Sequence, residues 1–264
     1  MRVGFTIALN TKHHFVCDER IWLYPTIFDK FVFVCGACKN NGSTSWCREM
    51  PAKYHEKGRS IDGTEAWLES EFARDNNIII AKNNGMWESK DQMINVALDI
   101  LRHTIYFDEN VFLWEIDADE HWTWDDIIAA ENELLRLQAK TGSFLCNYFV
   151  GENLQAVGDW GEGKKLPYRR LWLWNGELFK THEPPVLGVK NESIVLLPQR
   201  FNHFAYYFDE DVEFKEAWYP GHEGIYDRWK ALQELPEEDF PRPISDLITG
   251  PWGKTNTQIV YIPT

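Results

Sequence analysis

An acidic pair at the end of a short apolar run constrains the fold of this chain more than any other feature. Residues 110–113 (NVFL) have the pattern of a buried β-strand, and residues 114–120 (WEIDADE) follow. Asp117 and Asp119 would point to the same side of an extended segment, where two carboxylates are costly unless a cation lies between them. A hard divalent ion, with phosphate oxygens as its further ligands, would satisfy both carboxylates. The alternative is a solvated strand-to-helix turn in which Asp caps the helix.

The composition excludes some classes of protein. The 264 residues, 44% of them hydrophobic, suffice for one large domain or one domain with an appendage. No apolar run of about 18 residues occurs, and residues 1–10 turn polar too soon for a signal peptide, so we expect a cytoplasmic protein. The net charge of −14 argues against duplex nucleic acid as a partner. The basic segment 164–170 could override this locally, and a bound diphosphate explains it equally well.

Three of the five cysteines lie close together in the sequence. Cys35, Cys38 and Cys47, with His55 further on, have the ligand types of a zinc site, but their spacing matches no strong zinc pattern. Buried or loosely exposed thiols, kept reduced in the cytosol, are the favoured interpretation.

Strand and helix patterns alternate over the first 140 residues. The predicted strands are residues 3–9, 30–35, 77–81 and 111–116, and the predicted helices are residues 18–26, 62–75, 87–101 and 124–139. A long polar loop, residues 36–60, lies between the second strand and its helix. The alternation predicts an α/β fold with a mostly parallel central sheet and helices on both faces. Further strands are predicted at residues 143–150 and 170–174.

A set of short motifs runs along residues 3–185 in one order. They are residues 7–10 (IALN), 42–44 (GST), 60–64 (SIDGT), 87–98 (WESKDQMINVAL), 117–120 (DADE), 147–149 (NYF), 170–172 (RLW) and 181–183 (THE). The set resembles the GT-A-fold glycosyltransferases of the family 2 type, and its last three members are similar to the lipopolysaccharide-core glucosyltransferases. The resemblance implies a GT-A-like, Rossmann-related domain over residues 1–185. A C-terminal extension over residues 186–264 would line the acceptor side.

Two regions depart from the pattern of that family. The subgroup carries an acidic residue, a candidate general base, shortly before its Arg-Leu-Phe motif, and here Leu166-Pro167-Tyr168 occupies that region. Residues 36–60 form an insertion in the loop that is expected near the nucleobase.

The resemblance implies a metal-binding set around the acidic pair. Asp119 is the expected direct ligand, Asp117 contacts the metal through water or contacts the ribose, and His182 is the third ligand. An imidazole ligand would favour Mn²⁺ over Mg²⁺. His182 is alternatively a hydrogen-bonded structural histidine, and His203 is then the reserve candidate.

Five further residues are candidates for binding the donor. Asp62 would hydrogen-bond the nucleobase or the ribose, or else cap a helix. Lys90 or Asp91 would reach the donor, or else lie on a solvated helix face. Arg169 and Arg170 would clamp the diphosphate with forked donors, or else form surface salt bridges.

An inverting transfer also needs a general base for the acceptor hydroxyl. Glu162 is the first candidate and Asp159 the second, with Glu120 and Glu183 as further possibilities. Aromatic rings could stack on sugar faces or belong to the core. The tryptophans considered for this are Trp87, Trp160, Trp172 and Trp174.

The sequence therefore predicts a metal-dependent glycosyltransferase that moves a sugar from a nucleotide-diphosphate sugar, a UDP-sugar by expectation, to a hydroxyl acceptor with inversion. Two other classes stay open. One is a nucleotidyltransferase or phosphohydrolase that uses the same Asp pair, and the other is a module that binds a nucleotide sugar without turnover. The acceptor is equally open: a lipid-linked glycan, a protein side chain, a small metabolite or a hydroxylated DNA base.

Overall fold

The computed structural model describes residues 1–17, 24–107, 109–162, 167–182 and 194–263. The strands are β1 Arg2–Ala8, β2 Lys30–Cys35, β3 Ile78–Lys82, β4 Val111–Glu115, β5 Glu120–His121, β6 Thr141–Phe149, β7 Leu154–Val157, β8 Tyr168–Trp174, β9 Ile194–His203, β10 Arg242–Pro243 and β11 Gln258–Tyr261. The helices are α1 Lys12–Cys17, α2 Tyr24–Ile27, α3 Thr64–Glu71, α4 Lys90–Thr104, α5 Trp124–Arg136, α6 Asp159–Glu162, α7 Asp209–Trp218 and α8 Ile225–Gln233.

The chain folds into two compact units, each made of separate stretches of sequence. Unit 1 comprises Met1–Ala118, Thr123–Ser143 and Arg169–Leu197. Unit 2 comprises Asp119–Trp122, Phe144–Tyr168 and Pro198–Thr264. The predicted domain boundary near residue 185 lies outside the described residues, so the division into residues 1–185 and 186–264 stays a prediction.

Unit 1 contains the parallel sheet that the sequence predicts. β4, β1, β2 and β3 lie side by side in that order and are parallel, and β8 pairs antiparallel with β4. Residues 31–35 of β2 and the whole of β4 are buried. Strands covered on both faces need continuous apolar runs, which explains why β2 coincides with the predicted strand. The predicted α/β fold with a central, largely parallel sheet is confirmed.

Two amphipathic helices of unit 1 begin at capping residues. Ser89 Oγ accepts from Gln92 N–H at 3.0 Å at the start of α4, and Thr123 Oγ1 accepts from Asp126 N–H at 3.1 Å at the start of α5. The buried side of α4 joins the core of the sheet. Its members are Met93, Ile94, Ala97, Leu98 and Leu101. Both helices begin within three residues of the predicted positions.

Unit 2 contains antiparallel strands and the last two helices. β7 pairs antiparallel with β6 and with β11, β11 pairs with β10, and β5 pairs with β9. Trp229 of α8 links two other segments of this unit. Its Nε1–H donates to Val150 O at 3.0 Å and to Tyr206 O at 2.8 Å.

Two predicted segments differ in the structure. Residues 18–23 of the predicted helix 18–26 lie outside the described residues, and α2 begins at Tyr24. The loop 36–60 contains two 3-10 turns and is held by backbone hydrogen bonds, from Lys39 N–H to Trp87 O at 2.9 Å and from Asn41 N–H to Glu88 O at 3.0 Å. In the part of the chain that the structure describes, no helix is long and apolar enough to cross a membrane.

Candidate active site

The carboxyl ends of β1 and β4 mark the point in unit 1 where the strand order reverses. β1 has β2 on one side and β4 on the other. Ligands of open α/β sheets bind in the crevice outside the carboxyl ends of the strands at such a point. Asp117 follows β4 after one residue, Ile116, whose N–H donates to Phe5 O of β1 at 3.1 Å. The acidic residue therefore lies where a ligand of this fold is expected.

Two cationic side chains lie beside Asp117. Arg170 Nη2 donates to Asp117 Oδ2 at 2.9 Å, and Lys90 Nζ lies 4.0 Å from Asp117 Oδ1. Arg170 is part of β8, the antiparallel neighbour of β4, and Lys90 is the first residue of α4. Three residues that the sequence nominates for the donor site are thus brought together, and among them positive charges outnumber negative ones by one.

The burial of Arg170 gives its ion pair a structural role. The side chain of Arg170 is 1% exposed, whereas that of Asp117 is 26% exposed. A buried guanidinium needs a counter-charge, because desolvation is otherwise uncompensated. Arg170 is therefore bound to Asp117, and a diphosphate would have to share it. The neighbouring Arg169 is half-buried.

Asp119 belongs to unit 2, where its neighbours are different. Its Oδ2 lies 3.5 Å from His203 Nε2 and 3.5 Å from Lys215 Nζ. The pairing of β5 with β9 puts Glu120 opposite His203 and so fixes the backbone of that histidine. Lys215 extends from α7, and its ammonium lies 5.4 Å from the centre of the Tyr206 ring, a cation–π distance.

His203 is held as a cation beside Asp119. Burial alone would lower the pKa of His203, since an imidazolium loses hydration in the interior. The charge of the Asp119 carboxylate and the hydrogen bonds of His203 with Asp119 and Cys146 together outweigh burial and raise the pKa of His203 to about 10. An imidazolium donates from both ring nitrogens and cannot ligate a metal. The reserve metal ligand therefore acts, in this state, as a counter-ion.

His182, the predicted third ligand, lies in unit 1 beside the loop that follows β2. Its Nδ1 is 2.8 Å from Ser43 Oγ, and its backbone N–H donates to the same oxygen at 3.1 Å. Ser43 Oγ donates to Asp91 Oδ1, and Ser43 N–H donates to Asp91 Oδ2 at 2.7 Å. The histidine therefore belongs to a cluster with Ser43 and Asp91, which we call the Ser43 cluster.

The remaining nominated residues have structural partners or lie outside the described residues. Asp62 Oδ1 accepts from Thr64 N–H at 2.8 Å, so Asp62 stabilises the start of α3. Asp159 Oδ2 accepts from Asn256 N–H at 3.0 Å within unit 2. The side chain of Glu162 lies outside the described part, as do Glu183 and residues 164–166 of the basic segment. The general base stays a prediction.

The structure favours buried thiols over a zinc site. Burial raises the pKa of Cys35 and Cys38 above the ordinary thiol value, and that of Cys47 to about 12. His55 uses both ring nitrogens on backbone groups, with Nδ1 accepting from Gly58 N–H at 3.0 Å. Within the described part of either unit, no three His, Cys, Asp or Glu side chains bring ligand atoms within 4.8 Å of one another.

The tryptophans considered for sugar stacking are interior residues. Those buried in unit 1 are Trp87, Trp172 and Trp174, and Trp160 is buried in unit 2. Trp87 Nε1–H also donates to Cys35 O at 3.0 Å. Core packing is therefore their role in this structure.

Sequence reasoning missed two contributors to these surroundings. Lys215 lies in residues 209–218 (DEDVEFKEAW), which carry no motif, and it is 96 residues from Asp119. Ser43 was noted only as part of the short motif 42–44 (GST), and it is 139 residues from His182. Correlated substitution of such distant pairs is the signal that would have found them.

No protein-family model matches the chain, and no curated protein matches it. Among solved structures, it is similar to S. aureus TarS 1-349, with 12% identity and a TM-score of 0.38 over 57% of this chain and 37% of that chain. For the complex of that protein with UDP-GlcNAc, the identity is 11% and the TM-score 0.37, over 56% and 35% of the two chains. This chain thus spans about a third of the length of those solved chains. Similarity at this level does not establish a shared function.

Proposed function

We propose that the chain is a glycosyltransferase that takes a sugar from a nucleotide-diphosphate sugar, with a UDP-sugar as the expected donor. One observation carries the proposal: Asp117 lies at the strand-order reversal of unit 1, with Lys90 4.0 Å away. The ordered set of motifs over residues 3–185 supports it independently, because that resemblance rests on sequence alone.

The surroundings of Asp117 suit a diphosphate. Lys90 opens α4, so its ammonium adds to the positive end of the helix dipole. Lys90 and Arg170 both place positive charge beside Asp117. An anionic donor would be attracted to this end of the sheet, and charge on a leaving nucleoside diphosphate would be stabilised there.

Mn²⁺ or Mg²⁺ dependence is part of the proposal. The types of ligand fit such an ion, since Asp117 and Asp119 offer carboxylate oxygens and His182 offers an imidazole nitrogen. The side chain of His182 is half-buried. Asp119 would be the direct ligand, with Asp117 and His182 as its companions. When bound, the ion would neutralise charge on the departing diphosphate. We also propose that the transfer inverts the configuration at the anomeric carbon and that Glu162 is the general base.

Product analysis with an Asp119 variant tests the function. We expect the protein to release nucleoside diphosphate from a UDP-sugar in the presence of Mn²⁺. Asp119→Asn, which keeps the shape of the side chain, should lower turnover by roughly three orders of magnitude, because one interaction specific to the transition state is worth about 4 kcal/mol. The matched control is Asp125→Asn, an exposed residue in the first turn of α5.

Three outcomes contradict this function. Release of pyrophosphate in place of the nucleoside diphosphate would assign a nucleotidyltransferase. Full turnover by Asp119→Asn would show that the reaction does not need the acidic pair. Binding of the donor without any metal-dependent release of product would leave a binding module.

A further inference from the structure

The Ser43 cluster fixes which nitrogen of His182 carries a proton. A serine hydroxyl has one hydrogen to donate and two lone pairs that accept. Ser43 donates its hydrogen to Asp91 Oδ1, so its oxygen acts as an acceptor towards His182. The backbone N–H of His182 takes one lone pair at 3.1 Å, and the ring nitrogen Nδ1, 2.8 Å away, takes the other. Nδ1 must therefore carry a hydrogen, and in the neutral ring Nε2 carries the lone pair.

Asp91 keeps the hydroxyl of Ser43 in that orientation. Its two carboxylate oxygens accept from the side chain and the backbone N–H of the same serine, so the serine has little freedom to turn its hydrogen towards His182. Asp91 itself lies in the first turn of α4, where a carboxylate is favoured by the helix dipole.

The backbone is shaped for this contact. Gly42 has φ +86°, a conformation that favours glycine, and a Cβ at this position would collide with Asp91 Oδ2. The 3-10 turn Gly42–Thr44 can thus approach the start of α4 only because residue 42 has no side chain. The missing side chain at Gly42, the short side chain of Ser43 and the carboxylate of Asp91 together allow the contact between this turn and α4.

We propose that Ser43 and Asp91 are positioning residues, which hold His182 in the Nδ1–H tautomer so that Nε2 is the atom that binds a divalent cation. A histidine that ligates a metal commonly donates its other N–H to a fixed acceptor, which sets the tautomer and orients the ring. The choice of a divalent cation rests on the proposed function, whereas the tautomer does not.

Nitrogen NMR of the histidine rings tests the tautomer in the metal-free protein, with no donor present. In wild type near pH 8, His182 should show a protonated Nδ1 and an unprotonated Nε2, with the signals assigned through His182→Gln. Ser43→Ala should abolish that preference and yield a mixture or the opposite tautomer. Asp91→Asn provides a second route to the same loss if Ser43→Ala folds poorly. Ser45→Ala, two residues further along the loop, is the matched control and should leave His182 unchanged.

Mn²⁺ titration tests the ligand, because a bound paramagnetic ion broadens nearby ring signals. We expect His182 to broaden in wild type, while the exposed His103 of α4 stays sharp at the same concentration. Ser43→Ala should need about 10-fold to 100-fold more Mn²⁺ for equal broadening, the usual loss when the partner of a ligating histidine is removed.

The outcomes separate this inference from the proposed function. An Nε2–H tautomer in wild type, or unchanged Mn²⁺ affinity in both Ser43→Ala and Asp91→Asn, overturns the inference. Broadening of His182 with the expected loss in Ser43→Ala supports it, even if no nucleoside diphosphate is ever released and the transferase proposal fails.

Discussion

Asp117 and Asp119 are two residues apart, yet they have different counter-ions in two different compact units. In unit 1, Asp117 binds the guanidinium of Arg170 at 2.9 Å, and that guanidinium is buried. In unit 2, Asp119 lies 3.5 Å from both His203 and Lys215, and neither contact is as short. Arginine stays charged at every pH that a protein survives, whereas histidine and lysine lose their protons. One acid therefore has a permanent partner and the other has partners that can be titrated or displaced.

This difference changes the electrostatic reason for expecting a metal. The sequence suggested that two adjacent carboxylates need a shared cation. In the structure each carboxylate has positively charged side chains beside it, so neither carboxylate depends on a metal ion for a counter-charge. A divalent ion would have to displace these side chains. Displacement should cost less at Asp119 than at Asp117, because both contacts of Asp119 are longer than that of Asp117 with Arg170. Asp119 as the direct ligand and Asp117 as the supporting residue remain proposals.

Removal of Arg170 should have the largest effect on stability. Arg170→Ala deletes a buried cation and leaves Asp117 without its closest partner, and breaking a buried pair typically costs about 3–5 kcal/mol. Urea unfolding followed by circular dichroism measures this loss. The half-buried neighbour Arg169 provides the control, and Arg169→Ala should cost less than about 1 kcal/mol.

A double variant separates the charge from the packing in this first comparison. Replacing both partners, in Asp117→Asn with Arg170→Met, removes the guanidinium and its carboxylate together and should recover part of the loss. Equal unfolding free energies for Arg170→Ala and wild type would show that Arg170 is not a buried counter-ion, and the contrast with Asp119 would disappear.

The pH dependence of stability should be found at Asp119 and be absent at Asp117. The pKa of His203 is raised in the folded protein to about 10, above an unfolded value near 6.5. This contribution is fully present below about pH 6.5 and is lost as the pH rises through the folded pKa. Its size is of the order of 5 kcal/mol, because the pKa of His203 differs by about 3.5 between the two states and each pKa unit corresponds to about 1.4 kcal/mol.

Difference measurements in EDTA isolate this effect from general alkaline unfolding. The stability gap between wild type and Asp119→Asn should shrink between pH 7 and pH 10.5. The gap between wild type and Asp117→Asn should stay constant from pH 7 to about pH 9, because Arg170 does not titrate there and a lysine such as Lys90, 4.0 Å from Asp117, ordinarily titrates near pH 10.4. A parallel decline of both gaps would contradict the assignment of His203 as the partner of Asp119.

Local features of the sequence predicted much of this, and distant contacts did not follow from it. β2 was predicted with its observed bounds, Lys30–Cys35, because burial on both faces demands an uninterrupted apolar run. Asp117 was placed correctly after β4, since a strand followed by acidic residues is a local pattern. That Arg170, 53 residues away, pairs with Asp117 depends on β8 joining β4, which no local pattern encodes.

The role of His182 shows the same limit more sharply. The motif at residues 181–183 drew attention to the histidine, but its hydrogen-bond partner Ser43 lies 139 residues earlier, in a loop that read only as an insertion. The folded loop supplies the acceptor that sets the tautomer. An insertion with turn-forming residues is therefore also part of the candidate site, and its sequence alone gave no reason to connect it with residue 182.

The smallest predicted effect tests whether Lys215 competes with a metal for Asp119. Lys215→Met keeps much of the side-chain length but removes a charge 3.5 Å from Asp119 Oδ2, so a divalent ion no longer has to displace it. We expect Mn²⁺ affinity, measured by electron paramagnetic resonance of the free ion, to rise roughly tenfold, which corresponds to about 1.4 kcal/mol. Lys230→Met on α8, an exposed lysine over the Tyr226 ring, is the control and should change affinity by less than about twofold. Weaker Mn²⁺ binding in Lys215→Met than in wild type would mean that the ammonium assists the site and does not compete with the ion. Asp119 would then resemble Asp117, as an acid held by a resident cation.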